Sequence, residues 1–275
     1  MQRCNGRLAH QLRPVTITHN AFGYAPGSVL FELGNTKVLC SVSLQLGVPH
    51  FLKGKKEGWL TAEYALLPTA THIRCPRESA HAKRNDRAIE ISRLIGRSLR
   101  AVVDLRSLGE RTIVVDCDVL QADGSTRTAA ITGAYIALEQ AMYAWLERGD
   151  IVAPFITESV AAVSVGCSQG AVLLDLDYKE DSSLDADYNV VLTSSGKIIE
   201  IQGTAEKGPI AWPHFDQMMS CAREGMVALF TLIQHDDAPH ATRQMDLGMQ
   251  QEKQNQNTPK ISLFSLKARL KTAVE

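Results

Sequence analysis

The sequence predicts an α+β protein with hairpins and packed helices over mixed sheets, in place of a regular strand–helix alternation. Three observations carry this. A tight-turn dipeptide, Gly34-Asn35, lies between two apolar runs, helical periodicity dominates residues 86–102 and 129–146, and a second group of paired strand patterns precedes a last helix.

In chain order, Ser28–Leu33 and Lys37–Leu44 read as a β-hairpin, because Gly34 and Asn35 both tolerate positive φ. A Gly/Lys-rich loop follows at Lys53–Gly58, and an irregular stretch runs from Pro68 to Lys83. Ala88, Ile91, Ile95, Leu99 and Val102 then mark one helix face, with Asn85 or Asp86 as its N-cap. Thr112–Leu120 is a β-branched strand that Asp123-Gly124 breaks, and Ala129–Leu146 is a helix ended near Gly149. In the second half, Ser159–Val165, Ala171–Asp177, Tyr188–Thr193 and Ile198–Gln202 read as strands. Gln169-Gly170 and Ser195-Gly196 are turns, and Phe215–Ile233 is a helix. Residues 249–258 are nearly all Gln, Asn and Lys, a composition expected to stay disordered. The apolar and basic residues beyond Ile261 fit either a short amphipathic helix or a frayed tail.

At 275 residues and 45% hydrophobic, the chain holds enough apolar material for a large core, which excludes disordered and fibrous classes. Six scattered cysteines form neither a zinc knuckle nor a disulfide framework, so reduced thiols and a cytoplasmic location are expected. Met1–Arg13 lacks the apolar run of a signal peptide, and no stretch approaches the roughly 20 apolar residues of a membrane helix. Secretion and a membrane partner are therefore not expected.

The net charge of -1 argues against a surface coated for nonspecific nucleic-acid binding, yet it conceals a pattern. From Lys53 to Arg111 there are 13 Lys or Arg against 7 Asp or Glu; from Leu174 to Asp187 six acids stand against Lys179 alone. A basic tract beside an acidic loop suits phosphate handling with Mg²⁺, a hard cation preferring oxygen ligands. Two solvated faces are the plainer alternative.

Asp123-Gly124-Ser125-Thr126-Arg127-Thr128 lies where a strand ends and a helix begins, so free N–H groups and the positive helix end point outward there. Gly124 permits close approach, Ser125 and Thr126 add hydroxyls, and Arg127 supplies a fork matched to phosphate oxygens. An N-cap plus a turn is the structural alternative. No Gly-x-x-x-x-Gly-Lys spacing occurs nearby, which excludes a P-loop. Arg87 opens the preceding helix, and Arg93, Arg97 and Arg100 form a stripe along it. Arg74 and Arg77 lie in the irregular segment before it, placed to touch an RNA backbone. His72, His81 and His214 lack ligand-like partners and receive no metal role.

These residues converge on a resemblance. The chain resembles the RNase PH family of phosphate-dependent 3′ exoribonucleases from about Asn5 to about Gln234. The matching blocks are Gly6-Arg7 with Leu12-Arg13-Pro14, Gly34 to Val38, Gly58 to Tyr64, Arg93 to Arg100, Asp116 to Gly124, Glu180 to Ser183, Asp187, and Gln202 to Glu206. The resemblance implies a ribosomal protein S5 domain 2-like fold of two related β-α halves. It implies phosphate binding by Arg87, Ser125, Thr126 and Arg127, with inorganic phosphate as co-substrate, and Mg²⁺ or Mn²⁺ on the catalytic acids Asp181 and Asp187. It further implies RNA contacts by Arg74, Arg77, Arg93 and Arg97, tRNA precursors and other RNA 3′ ends as partners, and a homohexamer built as a trimer of dimers. Residues 1–237 would be the catalytic domain and 238–275 a polar, disordered extension. Three positions depart from the family: Ser125 replaces a usual glycine, tolerable unless φ there is positive; Thr69 replaces a usual arginine; and Asn5 replaces a usual aspartate. A non-catalytic ring subunit would be expected to lose the phosphate-site arginine or the acids, and both sets are present. A small-molecule kinase of related fold would need a Gly/Ser-rich phosphate loop that is missing.

Overall fold

The computed structural model describes Arg3, residues 6–77, 85–168 and 170–235, and the backbone of residues 243–245. Cys4, Asn5, His81, Gln169, the Gln/Asn-rich stretch and the C-terminal amphipathic segment lie outside the described residues.

The first half opens with β1 (Val15–His19), β2 (Gly27–Leu33) and β3 (Thr36–Leu46). Leu33 pairs with Thr36, which leaves Gly34 and Asn35 as a two-residue hairpin loop. Only Gly34 takes positive φ, at 57°, as in a type II′ turn whose first position calls for glycine. A side chain there would also strike Arg13. After β4 (Trp59–Leu66), helix α1 (Asp86–Arg100) starts on Asn85, whose side chain accepts from Arg87 N, and the short α2 (Leu105–Leu108) leads into β5 (Arg111–Gln121). β4 runs parallel to β5, and α1 makes the crossover that a parallel pair requires.

Helix α3 (Thr126–Arg148) ends at Gly149 in the left-handed conformation, φ 77°. Its Ala-rich sequence is buried on most sides, because β2 and β3 pack on one flank and β6 (Val160–Ser168) on another. β6 is buried throughout, covered by α3 and by α5 (Trp212–His235). β7 (Ala171–Leu174), the single turn α4 (Tyr178–Asp181), β8 (Ala186–Thr193) and β9 (Ile198–Ala205) complete the second half.

With β10 (Arg243–Met245) at its edge, the first sheet has the order β10-β1-β2-β3-β5-β4 and is mixed; the second, β7-β6-β8-β9, is antiparallel throughout. One continuous apolar core spans both. The strand expected over Ala171–Asp177 stops at Leu174. Asp175 turns to φ 54°, and Asp177 caps α4 in a reciprocal capping box with Glu180. Within the extension expected to be disordered, Arg243–Met245 is the one described stretch, and it pairs antiparallel with β1 as β10.

Candidate active site

The loop between β5 and α3 is braced from below. Arg13 Nη1 donates to Asp123 O (2.6 Å), Thr36 Oγ1 donates to Gly124 O (2.7 Å), and Asn35 Nδ2 donates to Asp123 Oδ2 (3.1 Å). Gly124, φ 77°, lies flat against the chain before α4: a Cβ there would come within 2.5 Å of Leu176 O. Ser125 precedes α3 with φ 55° and ψ 28°, and its side chain makes no cap to the helix. The first N–H groups of α3 thus face outward without a side-chain acceptor, at the positive end of a 23-residue helix.

Two expectations for Ser125 are corrected. Its φ is positive, the one condition under which serine fits poorly in place of glycine. Its hydroxyl is also engaged within the protein: it donates to Leu176 O (2.8 Å) and lies 2.6 Å from Ser164 Oγ. Thr126 Oγ1 accepts from Tyr64 OH (2.9 Å) and keeps its own proton to donate. Arg127 Nη1 donates to Glu90 Oε1 (3.1 Å) and Gln202 Oε1 (2.9 Å), and Gln202 donates in turn to Glu90 Oε1 (2.9 Å). Glu90 is thus hydrogen-bonded to Arg127 and Gln202, while its charge also favours the cation of Arg97 on its own helix.

The acidic run divides into two functions. Asp175 is 1% exposed and accepts from Arg13 N, Nε and Nη2 at 2.7, 2.9 and 2.6 Å. Glu180 accepts from Arg3 at 2.7 and 2.6 Å, and Arg7 bridges Asp175 and Glu180 at 3.4 Å each. These acids are neutralised by the N-terminal arginines and are structural. Asp181 and Asp187 instead face the space in front of α3. Burial raises the pKa of Asp181, against the pull of Arg87 and Arg127; burial, then Asp181 and Glu206, raise that of Asp187. The arginines and the acid pair thus share one electrostatic field.

A cavity of about 990 Å³ gathers these groups. Arg87, Ser125, Thr126 and Arg127 line one side, and Asp181 and Asp187 another. Tyr64, Gln202 and Glu206 also line it, although sequence reasoning assigned them no role. Each belongs to a matched block, Gly58–Tyr64 or Gln202–Glu206, and that was the available signal. Arg74, Arg77, Arg93 and Arg97 do not line the cavity. Arg74, Arg77 and Arg93 are exposed, and Arg97 donates to Glu200 at 3.0 and 2.6 Å. Arg100 leaves the stripe, donating to Leu60 O and lying 4.7 Å from the centroid of the Trp59 ring.

Among the described residues no three His, Cys, Asp or Glu side chains form a ready-made cation site. The pair Asp181 and Asp187 nonetheless fits Mg²⁺. It offers hard oxygen donors whose raised pKa values a cation would bring down, and it leaves further positions to water and substrate phosphate, as Mg²⁺ prefers.

Residues 11–143 match the family model for domain 1 of the RNase PH 3′ exoribonucleases, and residues 158–225 match the model for domain 2. The chain belongs to the RNase PH family. The two family domains correspond to the two sheet-and-helix halves, and the cavity draws its walls from both. Solved structures share the RNase PH fold. An Archaeoglobus fulgidus exosome with RNA bound to the active site superposes with a TM-score of 0.71 at 22% identity, over 84% of this chain and 92% of that one. Rice (Oryza sativa) Rrp46 gives 0.66 at 22% identity, over 84% and 95%. An archaeal exosome core gives 0.68 at 22% identity, over 84% and 91%. No described helix is long and apolar enough to cross a membrane.

Proposed function

We propose that this protein is a phosphate-dependent 3′-to-5′ exoribonuclease that trims tRNA precursor 3′ ends, releases nucleoside diphosphates and runs in reverse as a nucleotidyltransferase. The observation that carries the reading is the single cavity shared by Arg87, Thr126 and Arg127 with Asp181 and Asp187. Inorganic phosphate would rest on the N–H groups opening α3, the Thr126 hydroxyl and the two guanidinium groups, which hold its charge and aim one oxygen. That oxygen attacks the last phosphodiester in line; the bond to the preceding 3′ oxygen breaks, and that oxygen leaves as a 3′ hydroxyl after taking a proton. Asp181 and Asp187 would hold Mg²⁺ or Mn²⁺, which supplies charge stabilisation on the transferring phosphoryl group and the departing oxygen. A phosphate ester is exchanged for a phosphoanhydride, so excess nucleoside diphosphate should extend RNA.

Work on tRNA and rRNA precursors in the cytoplasm, with Arg74, Arg77, Arg93 and Arg97 contacting RNA within a hexamer built as a trimer of dimers, belongs to the same proposal. The test is to incubate a tRNA precursor with Mg²⁺, with and without phosphate. Shortening with nucleoside diphosphate release only when phosphate is present is expected. Release of monophosphates, trimming indifferent to phosphate, or binding without trimming would contradict it. Arg127→Ala should raise the KM for phosphate roughly 10- to 100-fold, the worth of a charge-assisted hydrogen bond, with RNA binding little changed. A phosphate titration under saturating RNA measures this, and an unchanged KM would remove Arg127 from the phosphate site.

A further inference from the structure

Ser125 holds a left-handed conformation that serine adopts reluctantly, so something must hold it there. The hydrogen bonds around it form a closed ring. Leu176 N donates to Ser164 Oγ (2.9 Å), and Ser125 Oγ donates to Leu176 O (2.8 Å). The 2.6 Å contact between the two hydroxyls must therefore use the proton of Ser164, since that of Ser125 is already spent. Ser164 lies on β6, is 5% exposed, and also accepts at its backbone oxygen from Asp175 N (2.7 Å). One side chain thus joins the loop that opens α3 to the segment Asp175–Leu176 that leads into α4 and Asp181.

We propose that Ser164 is a positioning residue for the phosphate site, locking Ser125 in its left-handed turn so that the first N–H groups of α3 face the cavity, at a fixed distance from Asp181. Ser164 also lines the cavity, but in this role it acts through Ser125 and not by touching phosphate or RNA. The proposal rests on the phosphorolytic reading and deepens it. It also explains how this chain keeps a serine where glycine would hold the turn unaided.

The experiment is a double-mutant cycle read in the KM for inorganic phosphate, with the KM for RNA and the melting temperature alongside. Ser164→Ala should raise the KM for phosphate about tenfold, the factor carried by one buried hydrogen bond, and leave the KM for RNA within about twofold. Repeated in a Ser125→Gly background, where the turn needs no lock, Ser164→Ala should change the KM for phosphate by less than about twofold. The bond from Leu176 N is lost in both backgrounds, so the comparison isolates the contact between the hydroxyls. Equal effects in the two backgrounds, or a parallel loss of RNA affinity, would overturn the proposal while leaving the phosphorolytic reading intact. If Ser164→Ala is too unstable to assay, Ser125→Ala, which removes the ring from its other end but keeps the Cβ, must raise the KM for phosphate in its place. Wild-type protein that consumes no phosphate would overturn the reading and this inference together.

Discussion

Asp187→Asn is expected to lower phosphorolysis by at least about 10²- to 10³-fold, the scale of losing a group that stabilises transition-state charge, while the melting temperature holds or rises. Asp187 is half-buried beside Asp181 and Glu206, and burial and both neighbours work against its ionised form. Removing the charge relieves that repulsion and deletes the proposed cation ligand in one step, the trade between stability and activity common at functional sites. Asp181→Asn should behave alike, since Arg87 and Arg127 only partly offset its burial. Single-turnover release of nucleoside diphosphate and a thermal melt of each variant give both quantities. Wild-type rates under saturating Mg²⁺ would reduce the acid pair to a structural feature.

Asp175→Asn should show the opposite signature: a loss of roughly 3–5 kcal/mol of stability, the usual consequence of breaking one side of a buried ion pair. Arg13 is 1% exposed, and burial alone would lower its pKa; Asp175, by charge and hydrogen bonding, more than reverses this. Without the carboxylate, the buried guanidinium loses its ion pair and keeps the carbonyls of Asp123 and Leu176 and the fields of Asp123 and Asp177. Asn also tolerates the left-handed backbone that Asp175 adopts at φ 54°, so the substitution changes charge and hardly touches conformation. At about 2–4 °C per kcal/mol for a domain of this size, melting should fall by roughly 10 °C. A variant melting within about 2 °C of wild type would show that the Arg13–Asp175 contact is dispensable.

These two aspartates stand close together in one acidic run, which shows where sequence reading succeeds and stops. Local signals were legible: Gly34 at the hairpin, Asn85 at the start of α1, and Asp123-Gly124 before α3 with Gly149 after it. β4 was missed although its buried Leu60, Ala62 and Tyr64 alternate with Thr61 and Glu63, because the preceding Gly/Lys-rich loop masked the period. The summed charge of the acidic run was misleading. Arg13 meets Asp175 across 162 residues and Arg3 meets Glu180 across 177, and such pairings leave no period in the chain. The gathering of Arg87 with Arg127 likewise depends on how α1 and α3 pack. The twist at Ser125 was foreshadowed only by the glycine that the family resemblance led us to expect at that position.

In the proposed reaction, the arginines and the helix start on one wall of the cavity present phosphate as the nucleophile to RNA held near the acid pair. Wild-type protein supplied with unlabelled RNA, Mg²⁺ and radiolabelled inorganic phosphate tests it most directly. Label is expected to appear as the β-phosphate of the released nucleoside diphosphates, one label for each nucleotide removed. RNA that shortens while the label stays in inorganic phosphate would contradict it.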